Sequence, residues 1–119
     1  MLYGIDIFSG AGGLSLGAEL AGISIAHAIE INESASKTFM RNHKGATVHT
    51  DDIKNIDASS LSTKKPVFII MGGPPCQGFS LSNTRTRNMD NPKNYLFLEF
   101  VRFVKDLRPE WFVLENVWG

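Results

Sequence analysis

The sequence predicts an α/β protein built on a doubly wound, mostly parallel sheet of about five strands with helices on both faces. Two observations lead there. Short β-branched and aromatic runs alternate with stretches of helical spacing, the pattern of strands joined by crossover helices. The runs Leu2 to Phe8 and Val67 to Met71 are also short and apolar and run into glycines, as buried strands do.

Leu2 to Phe8 reads as the first strand, ending at Ser9. Gly10, Gly12 and Gly13 then make a tight turn into a helix over Leu14 to Leu20, with Leu14, Leu16, Ala18 and Leu20 read as its apolar spacing. Gly22 stops it as a C-terminal cap. Ile23 to Ile29 is the second strand and closes at Glu30; Glu33 to Asn42 is a helix with Ala35, Phe39 and Met40 on its buried side. Ala46 to His49 is a short third strand before Asp51 and Asp52, and Ser59 to Lys65 is loop-like, with a helical turn before it. Val67 to Met71 is the most apolar strand and runs into Gly72-Gly73-Pro74-Pro75. Gln77 to Pro92 lacks any period and reads as a long mobile loop. Asn94 caps a helix through Leu107, with Leu96, Phe97, Phe100, Val101 and Val104 at core spacing. Pro109 ends it, and Trp111 to Leu114 is a fifth strand that delivers Glu115.

Composition narrows the function classes. A chain of 119 residues, 43% hydrophobic and 20% charged, is one globular domain or part of one. Its net charge is zero, without the basic surplus of a domain that grips nucleic acid by itself. Either the substrate is small or the grip lies on residues outside this chain. The single cysteine, Cys76, excludes an internal disulfide and fits a reducing compartment. His27, His43 and His49 lack metal-ligand spacing, so no metal is expected. The longest apolar run, Val67 to Met71, falls far short of the roughly 20 residues that cross a bilayer, and no basic leader precedes Leu2. No membrane partner is expected, and the expected location is cytoplasmic, or nuclear in a eukaryote.

In a doubly wound sheet, ligands bind beyond the carboxyl ends of the strands. Four distinctive clusters fall there: Gly10 to Gly13, Glu30, Pro75-Cys76 and Glu115. The glycine turn opens a helix, whose free N–H groups suit a close-approaching ligand. Glu30, 20 residues after Gly10, is placed to hydrogen-bond ribose hydroxyls. Ser15 stands where a dinucleotide fingerprint has its third glycine, and no Walker lysine follows, which favours a nucleoside-type cofactor over NAD or ATP. A tight turn with a surface glutamate is the plainer alternative. Asp51-Asp52-Ile53 reads as helix caps or solvated acids, or as an adenine contact. Cys76 sits outside any apolar run, on an elbow stiffened by two prolines. That placement argues for a thiolate nucleophile over an incidental thiol. Arg85 and Arg87 either solvate a surface loop or close over a substrate.

Together these residues resemble the DNA cytosine-5 methyltransferase family. The resemblance covers essentially the whole chain through six motifs in order. They are Asp6-Ile7-Phe8-Ser9-Gly10-Ala11-Gly12-Gly13, Glu30-Ile31-Asn32, Asp52-Ile53, Gly73-Pro74-Pro75-Cys76-Gln77-Gly78-Phe79-Ser80, Asn94-Tyr95-Leu96-Phe97 and Glu115-Asn116-Val117. It implies a Rossmann-like methyltransferase fold and S-adenosyl-L-methionine as cofactor. Phe8, Ser9, Gly10, Gly12 and Gly13 would line the cofactor pocket with Pro75; Glu30 would hold the ribose; Ile31, Asp52 and Ile53 would flank the adenine; Leu96 would meet the methionine end. Cys76 would be the nucleophile and Glu115 its acid partner, with Gln77, Ser80, Arg85 and Arg87 against DNA. Ile31 stands where the family often has a bulkier aromatic, which implies a weaker stacking contact. The family's later arginine motif, its target-recognition domain, its C-terminal motifs and the last two strands of its sheet are not in these residues. A second chain or a C-terminal half is therefore the expected partner beside DNA with a flipped cytosine. A non-catalytic fragment that binds adenosylmethionine or a partner, methylation of RNA, and a nucleotide-dependent oxidoreductase are the alternatives.

Overall fold

The computed structural model describes residues 1–61, 63, 65–75 and 95–116. Its strands are β1 (Leu2–Ile7), β2 (Ile23–Ile29), β3 (Thr47–His49), β4 (Ile69–Gly72) and β5 (Trp111–Leu114); its helices are α1 (Gly13–Leu20), α2 (Glu33–Asn42) and α3 (Tyr95–Leu107). The strands form one parallel sheet in the order β3-β2-β1-β4-β5. The chain therefore starts at the centre, winds outward through β2 and β3, and returns to the other side of β1 to make β4. That reversal opens a crevice between the carboxyl ends of β1 and β4, where the two halves diverge.

Alternation along the strands divides the core between the two faces. Ile5, Ile7, Ile29 and Ile70 pack with Phe100 and Phe103 of α3 and with Ile53, Ala58, Leu61 and Val67. On the opposite face Ala28 and Met71 meet Ala18 of α1 and Phe39 of α2. Ile25 joins them although it lies three residues before Ala28. The register explains this, because Gly4 pairs Ile25 while Ile5 pairs His27. One extra residue in β2 resets its alternation.

The element order matches the sequence reading, and the differences have local causes. β1 ends at Ile7 because Phe8 turns to φ 58, a left-handed conformation outside any strand. In α1 the buried residues are Ser15 and Ala18, whereas Leu16 and Leu20 are 53% and 81% exposed. Residues four apart share one stripe of a helix, and here the Leu16–Leu20 stripe faces outward. In α2, Ser36 and Phe39 are buried while Met40 is exposed. In α3 the buried pair is Phe100 and Phe103, and Val101 is exposed.

Caps fall where local chemistry puts them. Gly22 follows α1 with φ 89, and its N–H reaches the Glu19 carbonyl. Asn32 caps α2 by accepting from the Ala35 N–H at 2.8 Å. Where one helical turn was expected before the loop, the segment after β3 forms two 3-10 turns, Ile53–Asn55 and Ala58–Ser60, capped by Asp52 and Asp57, and the second runs into the expected loop. The predicted loop from Gln77 to Pro92 and the Asn94 cap lie outside the described residues. No helix among the described residues is long and apolar enough to cross a membrane.

Candidate functional site

The crevice holds a cavity of about 200 Å³. Phe8, Glu30, Ile31, Asp52, Ile53, Pro75 and Leu96, all singled out from the sequence, line it together. Asp51, weighed beside Asp52 as an adenine contact, also lines it, as do Gly73 and Tyr95, which stand in their motifs without an assigned role, and Ile29, which sequence reasoning missed. Tyr95 was within reach, as the neighbour of Leu96 in its motif. Ile29 carries no separate signal in the sequence, because its exposure to the cavity depends on how β2, β3 and β4 end side by side.

Glu30 leaves the sheet just after its own N–H bonds the His49 carbonyl. Its Oε1 accepts from the Gly10 N–H at 2.8 Å and its Oε2 from the Asn32 N–H at 2.7 Å. A carboxylate accepts about four hydrogen bonds, so one acceptor position on each oxygen is left for a ligand. The two backbone donors fix the carboxylate's direction before any ligand arrives. Phe8 is a bulky residue at φ 58, a conformation that persists only where its surroundings impose it. It swings its ring to the cavity edge, against the β1–β4 core.

The three glycines of the turn do different things. An added Cβ at Gly10 (φ 56) or Gly13 meets nothing within 4 Å among the described residues. At Gly12 (φ 103) it would stand 2.5 Å from His43 Nε2 and 2.8 Å from Phe39 Cδ2. Gly12 therefore answers to packing within the protein. His43 is held there by Glu19, whose Oε1 lies 2.8 Å from its Nδ1, and by the Phe39 ring 4.4 Å away. Ser9 is buried beneath the turn, its N–H on the Ile29 carbonyl at 3.0 Å. Asp6 is fully buried behind α1, with Oδ2 accepting from Ser15 Oγ at 2.6 Å and Oδ1 without a partner among the described residues. Burial pushes its pKa up to about 6 against the opposing effect of the Ser15 hydrogen bond.

Beside Glu30 on the cavity wall, Asp51 and Asp52 divide their work. Asp51 Oδ1 accepts from Asn55 Nδ2 and from the Asp52 N–H, which hold its carboxyl below the usual range. Asp52 caps the following turn through the Lys54 N–H at 3.0 Å, and its other oxygen lies 3.8 Å from Lys54 Nζ. On the opposite side Glu115 continues from β5, its N–H on the Gly72 carbonyl at 2.9 Å. Its carboxylate lies against Gly73 in the space a Cβ would take, two residues before Pro75. Cys76, Gln77, Ser80, Arg85 and Arg87 lie outside the described residues. Among the described residues no three His, Cys, Asp or Glu side chains gather as a metal site.

Comparison with known proteins gives a consistent picture. A family model described as C-5 cytosine-specific DNA methylase matches residues 2–119. The type II methyltransferase M.DdeI of Desulfomicrobium norvegicum is 47% identical over 97% of this chain and 28% of its own length. The type II methyltransferase M1.HphI of Haemophilus parahaemolyticus is 41% identical over 95% of this chain and 32% of its own. Among solved structures, an E. coli prophage-encoded protein described as a DNA modification methyltransferase superposes with a TM-score of 0.85. It is 38% identical over the whole of this chain and 33% of its own. The chain thus spans about a third of the length of the relatives it matches.

Proposed function

The chain belongs to the C-5 cytosine-specific DNA methylase family, and from that premise we propose that it binds S-adenosyl-L-methionine and carries the groups that activate cytosine for methylation at carbon 5 in DNA. The observation that supports this best is the convergence of Phe8, Glu30, Asp52, Pro75 and Leu96 on one cavity, with Glu30 anchored on the Gly10 N–H of the glycine turn. The residues fit such a cofactor. Glu30 keeps acceptor capacity for both ribose hydroxyls, Asp52 offers an acceptor for the exocyclic amine, and Ile31 and Ile53 give apolar flanks to a purine. When bound, the cofactor supplies an electrophilic methyl group on a sulfonium sulfur.

The remaining chemistry belongs to the chain and the base. Carbon 5 of cytosine is a poor nucleophile by itself. Addition of the Cys76 thiolate to carbon 6 turns the ring into an enamine and makes carbon 5 reactive. Glu115 gives a proton to ring nitrogen 3 and offsets the negative charge created by that addition, help typically worth ~10²–10⁴ in rate. Once carbon 5 carries the methyl group, it loses its proton to a base and the thiolate departs. The target atoms lie inside a stacked duplex, so the cytosine is flipped out at a cost of a few kcal/mol. Gln77, Ser80, Arg85 and Arg87 are the residues we assign to the nucleic acid. The neutral net charge assigns most of the electrostatic grip to a partner chain or further domain.

Two measurements test the proposal. Calorimetric titration of the chain with S-adenosylhomocysteine is expected to show one site, weakened at least tenfold in Glu30→Ala. A duplex containing 5-fluorocytosine, in a protein joining these residues to a family-length remainder, is expected to trap a covalent adduct that Cys76→Ser abolishes. Cofactor binding without an adduct would leave a binding role only; no binding at all would overturn the proposal.

A further inference from the structure

The 3-10 turn that presents Asp52 to the cavity is held from outside by one side chain of α3. Arg102 donates from Nη2 to the Ile53 carbonyl at 2.9 Å and from Nη1 to the Ile56 carbonyl at 2.8 Å. Those two carbonyls mark the beginning of the turn and the residue just past its end. The Ile53 carbonyl already closes the turn by accepting from the Ile56 N–H at 3.1 Å, so the guanidinium is its second donor. Arg102 itself is fixed by Glu99, whose Oε2 accepts from Nε at 2.5 Å, and by the Phe103 ring, whose centroid lies 4.8 Å from Cζ. Its side chain is only 32% exposed.

We infer that Arg102 is a positioning residue that determines the site's specificity for adenine. The inference rests on the cofactor reading above. The direction of the Asp52 carboxylate is set by the turn it caps, through the Lys54 N–H. The turn lies between β3 and β4 with no ladder partner among the described residues, so its outward carbonyls depend on donors from elsewhere. A planar guanidinium spans two carbonyls at once, and the point charge of lysine does not. Loosening the turn lets the Asp52 carboxylate swing and lose its exocyclic amine, while Glu30, held by the Gly10 and Asn32 N–H groups, keeps the ribose. The loss should therefore fall on reading of the base rather than on all of binding.

The experiment compares S-adenosylhomocysteine with its deaminated analogue S-inosylhomocysteine, which presents a carbonyl where adenine has an amine. The wild-type chain is expected to prefer the adenine ligand at least tenfold by calorimetry. Arg102→Lys, with an unchanged far-UV circular dichroism spectrum, is expected to bring that ratio below threefold, as Asp52→Asn does. In the enzyme joined to its family-length remainder, KM for the methyl donor should rise with kcat nearly unchanged. An equal weakening of both ligands in Arg102→Lys, or an unchanged ratio, overturns the inference and leaves a merely structural arginine. Glu99→Gln, which removes the carboxylate anchor alone, decides the matter should Arg102→Lys fail to fold: a ratio lowered at least threefold supports the inference, and an unchanged one overturns it. A wild-type chain that binds the adenine ligand without preference overturns the inference alone. A wild-type chain that binds neither ligand overturns the cofactor reading, and the inference with it.

Discussion

At the scale of single residues, the glycine turn shows how one residue type serves two purposes. Gly12 combines φ 103 with rings of Phe39 and His43 where a Cβ would stand. Gly12→Ala is expected to lower unfolding stability by at least about 1–3 kcal/mol, the cost of such backbone strain alone. Gly10→Ala, with open space around it, should cost less, and urea denaturation of the two variants checks the order. Asp6 gives a second expectation. Its pKa rises from 3.8 to about 6 in the folded chain, so the buried neutral acid contributes stability below pH 4 that is lost as pH climbs through 6. At about 1.36 kcal/mol per pH unit, the loss amounts to roughly 3 kcal/mol. Asp6→Asn, which still accepts from Ser15, removes that dependence. The difference in unfolding free energy between the variant and wild type should move by about this amount in the variant's favour from pH 4 to pH 7. Equal pH profiles would contradict the burial of an ionisable group there.

At the scale of elements, the helices show what a hydrophobic period leaves open. Leu14, Leu16, Ala18 and Leu20 read as one apolar spacing, yet on a helix they fall on two opposed stripes, and α1 buries Ser15 and Ala18 and turns Leu16 and Leu20 outward. Ser15 goes inside because Asp6 on β1 awaits its hydroxyl, a pairing of two polar residues that a hydrophobicity pattern cannot register. Leu16→Glu should change stability by no more than about 0.5 kcal/mol, as surface substitutions do. Phe39→Ala, in the core beneath the same helix, should cost about 3–5 kcal/mol. Thermal or urea melts of the two variants would show similar losses if the sequence pattern, rather than the fold, described the buried side. The 3-10 turns after β3 carry the same lesson, since Asp52 and Asp57 cap them locally while the Ile53 and Ile56 carbonyls at the first accept from Arg102 of α3.

At the scale of the whole molecule, the strand order brings the site together. β1 and β4 are neighbours although 61 residues lie between Ile7 and Ile69, and the pairings Ile7 with Gly72 and Gly72 with Leu114 line up the carboxyl ends of β1, β4 and β5. Glu115 thereby reaches Gly73. A methyl group at residue 73 would occupy the place of the Glu115 carboxylate, so Gly73→Ala is expected to displace the acid that we assign to cytosine nitrogen 3. Glu115→Gln should slow methyl transfer by ~10²–10⁴ with little change in S-adenosylhomocysteine affinity, the mark of a group that acts on the base rather than on the cofactor. Single-turnover kinetics beside calorimetry checks both halves of that statement.

The order of strands and helices, the caps at Gly22 and Asp52 and the six motifs were legible in the sequence because each depends on residues close together along the chain. The roles of Gly12, Gly73 and Arg102, and the side on which each helix is buried, were decided only by tertiary structure. These depend on partners brought from elsewhere in the chain: His43 to Gly12, Glu115 to Gly73, Ile53 and Ile56 to Arg102. Periodicity reports the average environment of a segment, whereas close contact between distant segments is set by how crossovers stack the strands.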